Sequence, residues 1–253
     1  MTDLFRLDNR VALVTGATSG LGRRMAMLLA DQGAIVAAAG RREPLLIGLV
    51  DEIAGKGGKA IAVPFDASDV STFPATLDRI EAEAGGVDIL INNAGISKAK
   101  RAVNTSTEMY DETMGINLRG PFFLAAEVGK RLIKRGAPGS IINISSAAGL
   151  KAMQGFCAYG MSKAGLIHMT RALALEWAPH FINVNAICPG YILTGMTEAT
   201  ANQESGLKFQ AGFPRNRIGV PEDLDCIVLA LASPKNRFTT GAVIPVDDGI
   251  TAG

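Results

Sequence analysis

Short apolar runs alternate with stretches of helical spacing along most of the chain. Arg10–Gly16 (RVALVTG) is apolar at nearly every position and ends in Gly, the pattern of a buried strand. Leu21–Gln32, behind it, repeats apolar residues at helical spacing. The same pairing recurs. Strands are expected at Ala34–Ala39, Ala60–Phe65 and Val87–Asn92, with helices at Glu43–Ala54 and near Val70–Ala84. Two helices are expected over Thr107–Asn117 and Pro121–Arg135, then a fifth strand at Ser140–Ser145 and a long helix from about Ala158 to Ala178. A sixth strand at Asn183–Cys188, a helix near Pro221–Ala232 and a last strand at Ala242–Val246 complete the pattern. The strands are continuously apolar rather than alternating, which marks a parallel sheet covered on both faces. Strand–helix alternation adds right-handed crossovers, so the expected class is α/β, a doubly wound parallel sheet of about seven strands with helices on both faces. No linker or change of composition divides the chain, and residues 1–253 are expected to form a single domain. The segment 195–215 stands apart, with weak periodicity and with Gly206 and Gly212 between a strand end and a helix. It is expected to act as a substrate lid.

Composition narrows the function. With 25 Lys and Arg against 24 Asp and Glu, nothing draws the chain generally to nucleic acid or to an anionic membrane, and neither is expected as a partner. Cys157, Cys188 and Cys226 lack metal-ligand spacing and form no disulfide framework, which fits a reducing, cytoplasmic compartment. The only histidines, His168 and His180, argue against a His-rich metal site and against a Ser-His-Asp engine, so no metal is expected. The N-terminal MTDLFRLDNR carries acids and no apolar core, so it is not read as a signal peptide, and no apolar run is long enough for a membrane span.

The first strand-to-helix turn reads Thr15-Gly16-Ala17-Thr18-Ser19-Gly20-Leu21-Gly22. Open parallel sheets bind ligands beyond the carboxyl ends of their strands. A helix N-terminus there presents unpaired N–H groups to an anion, and Gly lets the backbone approach a pyrophosphate without a Cβ in the way. The spacing is G-x-x-x-G-x-G, and the G-K-[ST] of a phosphate-hydrolysing loop is absent. A plain glycine-rich turn would look similar, but its place between the first strand and first helix favours a dinucleotide.

The second strand ends in Gly40-Arg41-Arg42, where such sheets meet the adenosine ribose. An acidic residue there would accept from a free 2′-hydroxyl. Guanidinium groups instead match a 2′-phosphate and keep their charge. NADP(H) is therefore favoured over NAD, with Arg41 ahead of Arg42 because it is nearer the strand end. A solvated basic helix start is the plainer alternative, although cations are disfavoured at a helix N-terminus.

Ser145-Ser146-Ala147-Ala148-Gly149 closes the fifth strand, and Tyr159 and Lys163 follow in AYGMSK. Residues i and i+4 share a helix face, so the ammonium stands one turn from the phenol. Such a neighbour favours phenolate and is expected to lower the phenol's pKa from its ordinary value of about 10. The phenol can then give a proton to a carbonyl oxygen or take one from an alcohol, and Ser146 can hydrogen-bond the same oxygen. The Tyr-x-x-x-Lys spacing alone is weak. Its position after a Ser-bearing strand end is what gives it weight.

Taken together, TGATSGLG (15–22), Asp66, NNAG (92–95), Asn117, Ser146, Tyr159-x-x-x-Lys163 and Pro189-Gly190 resemble the short-chain dehydrogenase/reductase family over essentially the whole chain. The nearest members look 3-oxoacyl-(acyl-carrier-protein) reductase-like, carbonyl reductase-like or sugar/polyol dehydrogenase-like. The resemblance implies a Rossmann-type fold and a tetrad of Asn117, Ser146, Tyr159 and Lys163. Tyr159 would be the acid/base, Ser146 would orient the substrate oxygen, Lys163 would hold the nicotinamide ribose and tune Tyr159, and Asn117 would position a relay water. The cofactor would lie along Gly16, Thr18, Ser19, Gly20, Leu21 and Gly22, with Asp66 and Ala67 at the adenine and Asn93 and Gly95 beside it. Pro189, Gly190, Ile192 and Thr194 would flank the nicotinamide, and Asn92 would tie neighbouring strands. A homotetramer is expected by the same resemblance. Gly195 and Asp248 depart from the family pattern, Asp248 standing where a V-D-G-G ending has Gly.

The reaction expected is NADPH-dependent reduction of a small-molecule ketone to an alcohol, reversible as an alcohol dehydrogenase. The alternatives are an NAD-dependent alcohol or polyol dehydrogenase working oxidatively and a non-catalytic NADP-binding regulatory protein. Ala147, Met153, Phe156, Tyr191 and Met196, with Phe209 and Phe213, are candidate walls of the substrate pocket, though residues packing a lid onto the core would look the same. Cys157, two residues before Tyr159, reads either as a pocket-lining residue or as a small packed thiol, His168 as a core or interface residue, and Trp177 as packing.

Overall fold

The structure is a computed structural model that describes residues 4–195 and 210–252. Seven strands are described: β1 (Val11–Thr15), β2 (Ile35–Gly40), β3 (Lys59–Pro64), β4 (Val87–Asn92), β5 (Gly139–Ile144), β6 (Ile182–Pro189) and β7 (Val243–Val246). They form one sheet in the order β3-β2-β1-β4-β5-β6-β7, and every pair is parallel. The strand order reverses between β1 and β4, which opens a crevice at their carboxyl ends.

The helices are α1 (Gly20–Asp31), α2 (Glu43–Gly55), α3 (Phe73–Ala84), α4 (Thr107–Met114), α5 (Gly120–Arg135), α6 (Cys157–Trp177) and α7 (Asp225–Ala232). Alternate strand residues feed two separate cores. Val14, Val36, Ile89, Ile91, Ile142 and Ile187 face α1, α2 and α7, meeting Met25, Leu49 and Val228. Leu13, Ala37, Leu90, Ile141 and Val184 face α3, α5 and α6, meeting Leu77, Leu124, Leu166 and Trp177. The continuous apolarity of the strands follows directly from this two-sided burial.

Two expectations are corrected at the helix boundaries. The pattern predicts separate helices over Thr107–Asn117 and Pro121–Arg135. Instead α4 ends at Met114, and a π-helical turn, Gly115–Arg119, carries the chain into α5 without a break. Pro121 ends nothing, because it lies in the first turn of α5, where its missing N–H does no harm. The helix expected near Val70–Ala84 begins instead as a 3₁₀ turn, Val70–Thr72, and Asp69 caps that turn by accepting from Ser71 N at 3.2 Å. No helix among the described residues is long and apolar enough to cross a membrane.

Leu90 is fully buried in β4 between α5 and its neighbours. Leu90→Ala should cost about 3 kcal/mol through lost burial and the cavity left behind. In urea titration this should lower the midpoint without changing the slope.

Candidate active site

The crevice is built from β1 outward. Gly16 takes φ +68°, and a Cβ on it would stand 2.9 Å from Asn93 Nδ2 and 3.0 Å from Ala94 Cα. Gly22, on the first turn of α1, lies so close beneath the Gly16 carbonyl that no side chain fits. Gly20 opens α1 at φ +54°, with the Thr194 methyl 3.4 Å from where its Cβ would be. Ser19 caps α1 in extended conformation but makes no side-chain bond into the helix. The first N–H groups of α1 therefore have no side-chain cap and lie beside glycines where a Cβ would not fit, which suits a pyrophosphate.

The two strands at the reversal are pinned together. Thr15 Oγ1 donates to Ile91 O at 3.2 Å and accepts from Asn93 N and Ala94 N, each at 3.0 Å. Asn93 Nδ2 donates back to Thr15 O at 3.0 Å. Asn93, expected beside the cofactor, thus has its amide engaged with the backbone of the turn. Thr15 was not singled out from the sequence; its signal is a hydroxyl on the last strand residue before the glycine turn. Asn92 bonds Asn143 across β4 and β5 at 2.9 Å, and Asn143 in turn donates to Thr170 Oγ1 on α6 at 2.9 Å.

At the far end of the crevice, Gly40 is buried, and a Cβ there would stand 3.0 Å from Thr18 Cγ2. Arg42 Nη2 donates to Thr18 Oγ1 at 2.6 Å and to Ser19 Oγ at 2.9 Å, so its guanidinium lies over the glycine turn. Arg41 is exposed and lines a cavity of about 430 Å³ with Phe65, Asp66 and Asp69. The two side chains therefore differ in surroundings, Arg41 lying beside Asp66 at the end of β3 and Arg42 over the glycine turn. Asp66 Oδ1 accepts from Ser68 N at 2.9 Å and from Ser68 Oγ at 2.7 Å. Those bonds, with the Arg41 charge adding to them, hold its carboxyl below the usual carboxylate range. The Ala67 carbonyl packs on Gly120 at the start of α5, where no side chain fits.

At the other end, α6 carries Tyr159 and Lys163 beneath the turn that follows β5. Lys163 is buried, and its Nζ donates to Ile144 O at 2.8 Å and lies 5.8 Å from the Tyr159 ring centroid. Ser145 Oγ donates to Lys163 O at 2.9 Å, which fastens α6 to the end of β5. Ser146 Oγ accepts from Ala148 N at 3.1 Å. Asn117 sits in the π-helical turn, fully buried. Its Nδ2 donates to Ile96 O at 2.9 Å and Ser162 Oγ at 3.1 Å, and its Oδ1 accepts from Ile96 N at 2.9 Å. A Cβ on Gly95 would stand 3.2 Å from Asn117 Oδ1 and 3.6 Å from Lys163 Nζ, so the four expected tetrad residues and Gly95 share one end of the crevice.

The electrostatics differ from the sequence expectation. Burial pushes the Tyr159 phenol up, and the Ser146 side chain offsets this only in part. The Lys163 ammonium, directed at Ile144 O, does not bring the phenol down in this state. Burial lowers Lys163 itself to about 8. Cys188, at the end of β6, is pushed up by burial in the same neighbourhood.

The other candidates fall into two groups. The Phe156 ring lies edge-on to Tyr159 at 6.2 Å, with Met153 O accepting from Phe156 N at 3.1 Å. Ala147 is buried in the turn after Ser146. Tyr191 meets Phe213 at 6.0 Å. Met196 and Phe209, like most of 195–215, lie outside the described residues. Pro189 is buried at the end of β6, Gly190 packs on Asp247, and Ile192 pairs with Gly219. His168 is exposed and Trp177 buried against Gly129. No cluster of metal-ligating side chains occurs among the described residues.

Known proteins resemble this chain over nearly all of its length. A family model described as enoyl-(acyl carrier protein) reductase matches residues 16–251. A 2-dehydro-3-deoxy-D-gluconate 5-dehydrogenase from Dickeya dadantii is 37% identical over 246 residues, 97% of this chain and 96% of that protein. The 3-oxoacyl-(acyl-carrier-protein) reductase FabG of Thermotoga maritima is 36% identical over 247 residues, 97% and 99% of the two chains.

The chain belongs to the short-chain dehydrogenase/reductase family.

As a member of that family it is an oxidoreductase acting on alcohol and ketone groups, and the sheet and glycine turn are its nucleotide-binding fold. Among solved structures, a gluconate 5-dehydrogenase from Burkholderia cenocepacia in complex with NADP and tartrate is 31% identical with a TM-score of 0.95, covering 99% and 98% of the two chains. The seven-stranded sheet is shared across such neighbours.

The depressed Lys163 makes a testable contribution to stability. Its folded pKa of about 8 lies below the unfolded value, so between them the unfolded chain binds more protons, and stability rises with pH. Below that window the cost of burying the charge is fully present, on the order of 3 kcal/mol. Tyr159 and Cys188, both pushed up, act in the opposite sense at the alkaline end. The Lys163 contribution therefore appears as a difference. Relative to wild type, Lys163→Met should gain stability at pH 7 and lose that advantage by pH 10 in denaturant titrations.

Proposed function

We propose that the protein is an NADPH-dependent reductase of a ketone, with Tyr159 as proton donor. The observation that carries this reading is geometric: the buried Tyr159 phenol lies beside Ser146, its ring centroid 5.8 Å from Lys163 Nζ, at the end of the crevice that Gly95 and Asn117 share, and like any phenol it is protonated at neutral pH. A protonated phenol is the form needed to deliver a proton to a carbonyl oxygen as that oxygen gains charge. Ser146 orients the oxygen. Lys163, one helical turn from Tyr159 and anchored on Ile144 O, is placed to bond a ribose hydroxyl. Asn117 fixes the Ile96 backbone beside them and positions a relay water.

The bound nicotinamide supplies the hydride; the protein supplies position and the proton. The cradle at Gly16, Gly20, Leu21 and Gly22 fits a pyrophosphate, with Thr18 and Ser19 at its rim. Asp66 and Ala67 stand at the adenine. Pro189, Gly190, Ile192 and Thr194 stand at the nicotinamide. For the 2′-phosphate, Arg41 and Arg42 form a two-sided cationic clasp. Gly40 leaves little room for the acidic side chain that would read a free hydroxyl. The relative solved with NADP supports the same preference.

A second reading keeps the site and reverses the direction, as an alcohol dehydrogenase. The relative named as a 2-dehydro-3-deoxy-D-gluconate 5-dehydrogenase favours it. A homotetramer is supported by the half-exposed Phe122 and Phe123 on α5 and the exposed Met161 and Leu175 on α6, apolar residues of the kind found at subunit contacts.

Two experiments test the reading. Tyr159→Phe should lower kcat for ketone reduction by about 10²–10⁴-fold while NADPH still binds, as followed by nicotinamide fluorescence. Unchanged turnover would remove Tyr159 from the chemistry. Arg41→Ala and Arg42→Ala should each weaken NADPH by about 10–100-fold, the loss of one charge-assisted contact, and leave NADH nearly unchanged. Equal losses for both nucleotides would move the preference to NAD and strengthen the oxidative reading.

A further inference from the structure

The proposed function places Pro189–Thr194 beside the reacting end of the crevice, and the role inferred here for Asp248 rests on that placement. Three contacts hold the segment from behind. Gly190 packs on the C-terminal turn so closely that a Cβ would stand 2.7 Å from Asp247 Cα. Gly219 exchanges two backbone bonds with the segment, donating to Tyr191 O at 2.9 Å and accepting from Leu193 N at 2.8 Å. The ring is closed by side chains. Arg217 Nε lies 2.5 Å from Asp248 Oδ2, and its Nη2 lies 3.2 Å from Asp248 Oδ1. The other edge of the same guanidinium meets Asp223, with Nη1 2.9 Å from Oδ2, and Asp223 also accepts from Val220 N at 2.9 Å. Arg215 Nη1 adds a contact to Asp248 Oδ1 at 3.3 Å. A cavity of about 120 Å³ is enclosed between these strips, bordered by Tyr191, Ile192, Arg217 and Asp248.

Asp248 holds φ +53°, the left-handed region that Gly adopts freely and other residues adopt at a cost. It is also the position at which the sequence departs from a Gly. A carboxylate kept in that conformation, with two guanidinium groups on it, does something that Gly cannot do. We propose that Asp248 is a positioning residue. Through Arg217 it locks the C-terminal turn onto the strip 217–223, and the closed ring fixes Pro189–Thr194 against the nicotinamide side of the site. The clamp touches neither Tyr159 nor Lys163, so it acts on placement and not on proton transfer.

Asp248→Asn keeps the size and the left-handed tolerance but removes the charge, and Arg217→Gln opens the clamp from its other side. Each should lower kcat for ketone reduction about tenfold, as small misplacements of reacting groups do. The pH profile should keep its shape, and the melting temperature should change little because exposed ion pairs contribute little to stability. Amide hydrogen exchange at Leu193 and Gly219 should accelerate in both variants. Wild-type kcat should fall with added NaCl as the clamp is screened, and the kcat of Asp248→Asn should not. If kcat in both variants stays within about twofold of wild type, or if its loss only follows subunit dissociation or a fall in melting temperature, the proposal is overturned. Hydrogen exchange separates this from failure of the functional reading. If wild type reduces no ketone, unchanged exchange at Leu193 and Gly219 still overturns the clamp, and accelerated exchange still supports it.

Discussion

The site depends first on the hydrogen bonds between Thr15 and the Asn93–Ala94 backbone. They hold together the ends of β1 and β4 at the one place where the sheet changes direction. A crevice there is a topological necessity, since the helices after the two strands leave on opposite faces. Its width is not a necessity. With Thr15 holding one strand end and Asn93 returning a bond to the Thr15 carbonyl, the glycine turn is set against β4 with no slack. Gly16 and Gly22 are then the residue type that the remaining space accepts.

A second layer of order runs along the carboxyl edge of the sheet. Asn92, Asn143 and Thr170 tie β4, β5 and α6 through buried side chains, and Ser145 and Lys163 tie the end of β5 to α6 again. Every buried side-chain nitrogen and oxygen among the described residues has a partner. In an apolar interior each such group would be costly unpaired, so the polar set has few alternative arrangements. Tyr159 inherits its position from this scaffold. Its raised pKa follows from the same burial that fixes it.

The strands were legible because parallel strands buried on both faces leave a plain apolar signature, and β4 falls on Val87–Asn92 as read. The glycine turn and the Tyr159/Lys163 pair were legible because their chemistry fixes their spacing. Other features were not. A π-helical turn has no periodicity of its own within five residues, so Gly115–Arg119 read as a helix end. The direction of the Tyr159 shift could not be read from spacing, because it is set by burial and by where the Lys163 ammonium turns.

The π-helical turn also bears on how such a chain can change over descent. A π turn amounts to an α-helix holding one residue too many, with the surplus bulged outward. Losing a single residue between Gly115 and Arg119 would restore regular winding and leave the inward faces of α4 and α5 in register. The helical rod would survive such an event while Asn117 lost its presentation to Ile96. The segment is therefore a place where the smallest possible change in chain length separates the architecture from its chemistry.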